Sequence, residues 1–596
     1  VTCNFAEFRI YDMFNFDSLF DPEPTPQIIR LENLPYDYRR LNFLVDPNDD
    51  NVMPEVKISK DAANIAETIY KDFDATYAKN PVQNYRDFLN TICIRLVFCF
   101  YAGDSHFFAK EQFKNYIEKF PDDSRGTAVQ NLFAVLNNPD RSNISDNDLK
   151  NFPYLNGGLF EEKIILPPFD KNKDNPVSTA FAFNERRNFS WHTINPAIFG
   201  AMFESILNPE TRRKGGMHYT STENIHRVID PLFLDDLDAE FKAARRARKN
   251  IRPQRLLALQ NKIASLTFFD PACGSGNFLT ETYLALRKIE NNILYELKTK
   301  FGIVGKIRVS IHQFFGIEIN SFAVATAKLA LWIAEHQMHE KSDVITGAEP
   351  KTKLDTIQNI HCANALQIDW NTVVPRDRLT FIIGNPPFIG YTYQTAQQKA
   401  DLLAATGLNF KKLDYVVSWY YKVAAFISGT DIRSAFVSTN SICQGEQVAA
   451  VWKNIFAQNI HFDFAWRTFK WISDSENMAA VHCVIISFSQ NYHGEKFIFD
   501  GDKKIPAKNI NAYLLDAENV FIESRTEPLC PVPEMHWGSK PTDGQHLIIE
   551  AKDYDEFILR EPAAKKYIRP YVGAEEFING KERWCLWLVG VSMEEI

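Results

Sequence analysis

No run of about 18 uncharged apolar residues occurs in the chain, so it lacks the length of greasy sequence that a membrane-spanning helix needs. The most apolar stretch of the N-terminal part, Thr91–Ala102, is short and interrupted by Arg95. Cysteine is sparse and scattered over nine positions, Cys3, Cys93, Cys99, Cys273, Cys362, Cys443, Cys483, Cys530 and Cys585. None forms a Cys-x-x-Cys pair or a zinc-like Cys/His cluster, which leaves no candidate metal ligands. An odd, unpatterned set of this kind reads as reduced, mostly buried thiols of a cytoplasmic protein. Positive charge is not in excess: 66 basic residues face 75 acidic ones, a net charge of −9. That balance excludes a surface coated in positive charge but permits a local basic cleft. Internal repeats, low-complexity tracts and a secretory leader pattern are missing as well.

What is present is an ordinary globular composition, 45% hydrophobic and 24% charged over 596 residues. At roughly 150 residues per domain, about four domains are expected. Residues 1–50 open with VTCNFAEFRIYDMF, which alternates like a strand already under way, so the chain is expected to begin inside a domain. A Pro/Asp-rich connector (DPEPTPQ, DPNDDN) follows. Residues 51–212 read as an all-helical spacer, with apolar residues spaced by three and four in Ala62–Tyr77 and Tyr85–Tyr101. From 213 to 500 short β-branched or aromatic runs alternate with helical patterns. The runs are LTFFD, RVSIHQFFGIEI, LTFIIGNPPF, RSAFVSTNSI, HFDFAWRTF and AAVHCVIISFS. Helices are expected from about Gly276, over Phe322–His339 and up to about Ala457. The alternation predicts an α/β domain with a parallel sheet covered on both faces. Residues 501–596 turn Pro-rich and then regular, the start of a further domain.

Three strand ends carry the chemistry. In Phe268–Leu279 (FFDPACGSGNFL) an apolar strand runs into Asp270, a turn with Gly274 and Gly276, and then a helix. Such a turn offers backbone N–H groups and a carboxylate at the C-terminal edge of a parallel sheet, where these folds bind ligands. A third glycine at the dinucleotide-type offset is replaced by Leu279, and a carboxylate in the turn suits an ammonium better than a pyrophosphate. In FGIEIN a second strand ends at Glu318, which can accept hydrogen bonds from both hydroxyls of a ribose. It lies far enough beyond Gly276 that the helix between them must be long or carry an insertion.

The third strand, FIIGNPPF, ends in Asn385, Pro386, Pro387 and Phe388. Two prolines stop the strand and fix φ, leaving carbonyls without local N–H partners. An Asn oxygen and a Pro carbonyl can together accept both N–H bonds of one exocyclic amino group. Holding the group so draws its nitrogen towards tetrahedral geometry and frees the lone pair, while Phe388 offers a face on which a base can stack.

DPACGSGNF followed by NPPF resembles the S-adenosylmethionine-dependent amino-group DNA methyltransferases of the N6-adenine type, with the cofactor segments first and the target-recognition region last, the γ order. Gly216–Ser221 (GMHYTS) resembles the segment bordering the cofactor's methionine, and His361–Leu366 (HCANAL) the loop beside its adenine, with Asn364 where many relatives have Asp. Leu413–Val416 (LDYV) fits a later pocket segment, with Asp414 as a pocket or capping residue. Phe464–Phe469 (FAWRTF) fits the target-base side. More closely still, PYLNGGLF at 153–160, HYTSTENIHRVIDPLFLDDL and IRPYVGAEEFINGKERWCLWL resemble MmeI-like single-chain restriction–modification proteins of bacteria.

That resemblance implies a Rossmann-like methyltransferase sheet after a helical spacer and before a target-recognition domain. It implies cofactor contacts at Tyr219, Thr220, Asp270, Ala272, Gly274, Gly276, Asn277, Phe278, Glu318, Ile319, Asn364, Ala365, Asn385 and Asp414. Catalysis would fall to Asn385, Pro386, Pro387 and Phe388, without a metal. The expected cofactor is S-adenosylmethionine and the expected partner is double-stranded DNA with the target adenine flipped out. A membrane plays no part in this reading, and no residue pattern bears on oligomeric state. The nuclease signature of the family, an Asp and a Glu-x-Lys on a small sheet, is not recognisable. Glu240-Phe-Lys242 has the spacing but sits in a charged helical stretch, so DNA cleavage is not expected. Lys242–Arg255 (KAARRARKNIRPQR) is either a solvated helix face or a phosphate contact. Cytosine-C5 chemistry would need a nucleophilic Cys in the catalytic loop, and none lies there. Methyltransferases of RNA or of protein glutamine share the Asn-Pro-Pro-aromatic loop, and a silent DNA-binding subunit would share the fold; both stay open as alternatives.

Overall fold

The structure, a computed structural model, describes residues 220–347, 357–408, 412–471, 481–523 and 543–592 without interruption. It also describes 54–79, most of 85–196, and short pieces of 2–41 and 525–533. Two compact units are present, Val1–Glu523 and Ser524–Ile596.

The first unit opens with three short strands, β1 (Thr2–Cys3), β2 (Glu7–Ile10) and β3 (Gln27–Arg30), paired antiparallel in that order. The expected connector therefore contains a strand, because Gln27 to Arg30 pairs back onto Glu7 to Ile10. The spacer follows as α1 (Pro54–Lys79), α2 (Tyr85–Asp104), α3 (Gln112–Glu118), α4 (Arg125–Leu136) and α5 (Pro176–Glu185). The face of α2 is apolar almost all round, as a helix buried on every side must be. Arg95 inside it is 1% exposed. Its guanidinium donates to the Leu159 carbonyl at 2.7 Å and lies over the Phe133 and Phe160 rings, so the buried charge is both hydrogen-bonded and faced by π-electrons.

After α6 (Thr222–Ile229), α7 (Asp235–Arg246) and α8 (Arg252–Ser265) the chain enters a nine-stranded sheet. Its elements in chain order are β4 (Phe268–Asp270), α9 (Asn277–Phe301), β5 (Phe314–Glu318), α10 (Ser321–Thr346), β6 (Ile360–Cys362) and β7 (Phe381–Gly384). Next come α11 (Ala396–Thr406), α12 (Val417–Ile427), β8 (Arg433–Thr439), α13 (Gln447–Phe456), β9 (His461–Trp471), β10 (Val481–Ser489), β11 (Lys496–Asp500) and β12 (Lys503–Ala507).

The order across the sheet is β12-β11-β9-β10-β8-β7-β4-β5-β6. Strands β4 to β8 are parallel, but β10 runs antiparallel between β8 and β9, and β12 antiparallel to β11. The sheet is thus mixed rather than purely parallel, because β10 pairs antiparallel with both of its neighbours. The α9 that follows the glycine turn is 25 residues long, which accounts for the distance from Gly276 to Glu318. The α10 helix extends beyond the expected His339 to Thr346.

Both faces are covered. One core joins the spacer helices to the α9/α10 face, and a second packs α12 and α13 on the other. From β4 the chain winds outward through β5 and β6 on one side and returns to β7 and β8 on the other. The order therefore switches between β4 and β7, the position where ligands bind in open α/β sheets. The second unit contains β13 (Ile548–Glu550), β14 (Ile568–Pro570) and β15 (Arg583–Leu586) as an antiparallel sheet in the order β13-β15-β14. Among the described residues no helix is long and apolar enough to cross a membrane.

Candidate active site

The switch point gathers the three strand ends. Asp270 closes β4 and is 1% exposed; its Oδ1 accepts from the Ala272 N–H at 2.9 Å. Gly274 and Gly276 have φ of +53° and +83°, a region open to glycine. At Gly276 space also forbids a side chain, since a β-carbon would stand 2.8 Å from Ala327 Cβ. Gly276 is the N-cap of α9, so the positive end of a long helix points into the turn.

Glu318 ends β5 and takes two backbone hydrogen bonds, from Gly274 N at 3.0 Å and Asn320 N at 2.9 Å. Asn320 in turn caps α10 by accepting from Phe322 N and Ala323 N. Burial raises the pKa of Asp270 to about 8; the Ala272 N–H pulls it down and the Glu318 charge adds to the rise. Burial also raises Glu318, against the pull of its backbone donors.

At the end of β7, Gly384 (φ +156°) leaves no room for a side chain, because a β-carbon there would fall 2.5 Å from Asp270 Oδ1. Asn385 follows. Its Nδ2 donates to Thr220 Oγ1 at 3.1 Å, and its Oδ1 is buried with no hydrogen-bond partner among the described residues. Buried acceptors are nearly always satisfied, so an orphan at a sheet's ligand-binding edge marks a place for a donor. The loop beyond is held by Gln394, whose Nε2 donates to the carbonyls of Ile389 (3.0 Å) and Leu413 (2.9 Å).

These ends enclose a cavity of about 540 Å³, within the range of small-molecule sites. Of the residues singled out in the sequence, it takes in Thr220, Asp270, Ala272, Gly274, Asn277 and Phe278 from the first segments. It also takes in Glu318, Ile319, Asn364, Ala365, Asn385 and Pro387 from the later ones. Pro386 is buried and Phe388 half-buried against both cores, outside the lining. Gly276 acts from beneath, as the helix cap.

Asp414 does not line the cavity: its carboxylate accepts from the hydroxyls of Thr439, the last residue of β8, and Ser441 just after it. Tyr219 lies outside the described residues. Phe464–Phe469 sits on β9, three strands from β7 and off the cavity. There Trp466 donates to Arg227 O and is overlaid by the Arg227 guanidinium. Glu240 lies on α7 and pairs with Lys262, and in the basic run both Arg245 and Arg252 face Glu296.

Sequence reasoning missed Asp401, Gln397 and Trp419, which also line the cavity, and in the Leu413–Val416 segment it is Tyr415 that does so. It also missed Lys422, whose Nζ donates to the carbonyls of Ala365 (2.6 Å) and Ile368 (2.7 Å) behind the Asn364 loop; burial lowers its pKa to about 8. The Gln397/Asp401 pair, four apart on α11, was the available signal.

The electrostatics are one-sided. The described lining holds three carboxylates, Asp270, Glu318 and Asp401, and no Lys, Arg or His. Neither Asp270 nor Glu318 has an ion-pair partner among the described residues. Such a cavity suits a cationic ligand with polar edges and opposes polyphosphates.

Comparisons with known proteins agree with this geometry. Family models match at residues 87–160 (MmeI, helicase spacer domain), 243–500 (MmeI, DNA-methyltransferase domain) and 516–596 (MmeI, target recognition domain). DNA methyltransferase A of Bacillus subtilis (strain 168) is 38% identical over 543 residues, which cover 89% of this chain. The matched region spans 60% of that relative's length. A solved structure of the Type IIL restriction-modification enzyme MmeI in complex with DNA is 41% identical, with a TM-score of 0.79 over 89% of this chain and 72% of that one. The chain belongs to the MmeI family of restriction–modification DNA methyltransferases.

Proposed function

We propose that the chain transfers a methyl group from S-adenosylmethionine to the N6 of adenine in a specific duplex DNA sequence, as part of a restriction–modification system. The observation that carries the reading is Asn385 Oδ1, a buried acceptor without a partner among the described residues, on a side chain that lines a cavity suited to a cation. The family's target recognition match and the relative solved with DNA support duplex DNA as the substrate. We assign residues 51–212 to the spacer, 213–500 to the methyltransferase and 501–596 to target recognition.

The donor set fits the cofactor: an ammonium and a sulfonium would neutralise the unpaired carboxylates. Asp270 and the Gly274–Gly276 turn would hold the methionine end, whose carboxylate meets the free N–H groups of α9. Glu318 keeps lone pairs for the ribose hydroxyls, and Ile319, Asn364 and Ala365 would border the adenine. When bound, S-adenosylmethionine supplies a methyl group on a positively charged sulfur that leaves as a neutral thioether. Asn385 Oδ1 and the Pro386 carbonyl accept the two N–H bonds of the target amino group and orient its lone pair, and Phe388 stacks on the base. The adenine must leave the duplex to reach them. Nitrogen sheds its proton after attack, so positioning and electrostatics suffice without a strong base.

The test is to incubate the chain with labelled S-adenosylmethionine and unmethylated DNA, then digest to nucleosides. Label in N6-methyladenine supports the proposal. Label in 5-methylcytosine or in protein, or cofactor binding with unlabelled DNA, contradicts it.

A further inference from the structure

Asp401 lies on α11, is 6% exposed, and has no place in the chemistry above. Four neutral donors converge on it. Gln367 Nε2 and Gln397 Nε2 donate to Oδ1, each at 3.0 Å; Asn364 Nδ2 (2.9 Å) and the Tyr415 hydroxyl (3.3 Å) donate to Oδ2. A carboxylate offers about four lone-pair sites, so Asp401 is saturated and has none left for a ligand. Burial pushes its pKa up, but the four donors more than reverse that and hold it below its usual value. It is therefore an ionised acceptor locked onto its neighbours.

The neighbour that matters is Asn364, in the cavity wall. An amide has two unlike ends, and an unrestrained Asn could present either one. A carboxylate cannot donate, so the end of Asn364 that faces Asp401 has to be the NH₂. Its Oδ1 is then committed to the other side, where it takes the Leu366 N–H at 2.9 Å and keeps one lone pair. An Asp at 364 would present oxygen in any rotamer; an Asn does so only when its partners hold it, here the Asp401 carboxylate on the NH₂ and the Leu366 N–H on the oxygen.

We propose that Asp401 is a positioning residue for cofactor recognition: by holding the Asn364 NH₂ it makes Asn364 Oδ1 a fixed acceptor for the 6-amino group of the cofactor's adenine. This rests on reading the cavity as the S-adenosylmethionine site.

The experiment is calorimetric titration, without DNA, of S-adenosylhomocysteine and of its 6-oxo analogue S-inosylhomocysteine. Wild type should prefer the amino ligand by about tenfold or more, the order of one oriented hydrogen bond. Asp401→Asn removes the acceptor that demands the NH₂ and leaves the Leu366 N–H alone to orient Asn364, so it should erode that preference by about fivefold. In Asp401→Asn/Asn364→Asp the carboxylate at 364 is an acceptor by nature, and the preference should return. Asn364→Asp alone sets two carboxylates at hydrogen-bond distance and should weaken S-adenosylhomocysteine binding about tenfold. This variant keeps the proposal testable if Asp401→Asn melts early. Equal loss of both ligands in Asp401→Asn, no preference in wild type, or unchanged binding by Asn364→Asp would each overturn it. If wild type binds neither ligand, the cofactor reading itself falls, which is a different result from loss of discrimination.

Discussion

Asn385 Nδ2 donates to Thr220 Oγ1 at 3.1 Å, linking the end of β7 to the segment just before α6 across 165 positions of chain. With the NH₂ so engaged, Oδ1 is left as a buried acceptor without a partner among the described residues. Thr220→Val keeps the shape and removes the oxygen. Methyl transfer should fall about tenfold, the worth of one buried hydrogen bond, while Thr220→Ser stays within about threefold of wild type. Steady-state rates of both variants on one DNA check this.

Gly384 and Asp270 touch where β7 meets β4. Gly384→Ala puts a methyl 2.5 Å from Asp270 Oδ1 at a φ of +156°. The combined crowding and backbone strain should cost about 2–4 kcal/mol in denaturant unfolding. Cofactor affinity should fall as well, because Asp270 is the group displaced. A variant as stable as wild type would mean that the two strand ends are not in contact.

Cofactor affinity should depend on pH through Asp270. Its carboxyl titrates near 8 in the free protein and must be ionised to pair with an ammonium. Affinity should therefore rise with pH and level off above about 8, falling by up to tenfold per unit below it. Calorimetry between pH 6 and 9 reads this directly, and Asp270→Asn should flatten the profile.

His226 on α6 bridges Asp230 (Nδ1, 2.7 Å) and Glu281 of α9 (Nε2, 3.2 Å). The hydrogen bond to Asp230, then that to Glu281, raise its pKa to about 9 against the effect of burial. A raised histidine stabilises the fold fully below its unfolded value of about 6.5, and that stability is lost as pH rises through about 9. With solvent screening on a partly exposed group, His226→Gln should cost about 1–2 kcal/mol at pH 6 and close to nothing at pH 10. Thermal melts across that range show whether the gap closes.

The site was legible in the sequence where backbone geometry dictates residue type. Gly274, Gly276, Asp270 and the Pro386-Pro387 stop are choices that tight turns at strand ends force on the chain, so local spacing revealed them. The spacer helices were legible from their apolar spacing. Asp401 and Lys422 were not, because each is a single polar residue in an ordinary helix. Their meaning arises only when α11, α12 and the 364–368 loop meet. The partners of Asp414 were out of reach of local pattern for the same reason: Thr439 closes β8 and Ser441 follows it. The antiparallel β10 escaped notice because a buried apolar run gives no sign of its direction.

We propose that Asn385 acts on the target amino group and not on the cofactor. Asn385→Ala tests it by pairing S-adenosylhomocysteine binding with single-turnover methylation of DNA. The account predicts affinity within about threefold of wild type and a transfer rate lower by about 10²–10³, the usual cost of removing a group that stabilises the transition state. Equal loss of binding and transfer, or transfer at the wild-type rate, would contradict it.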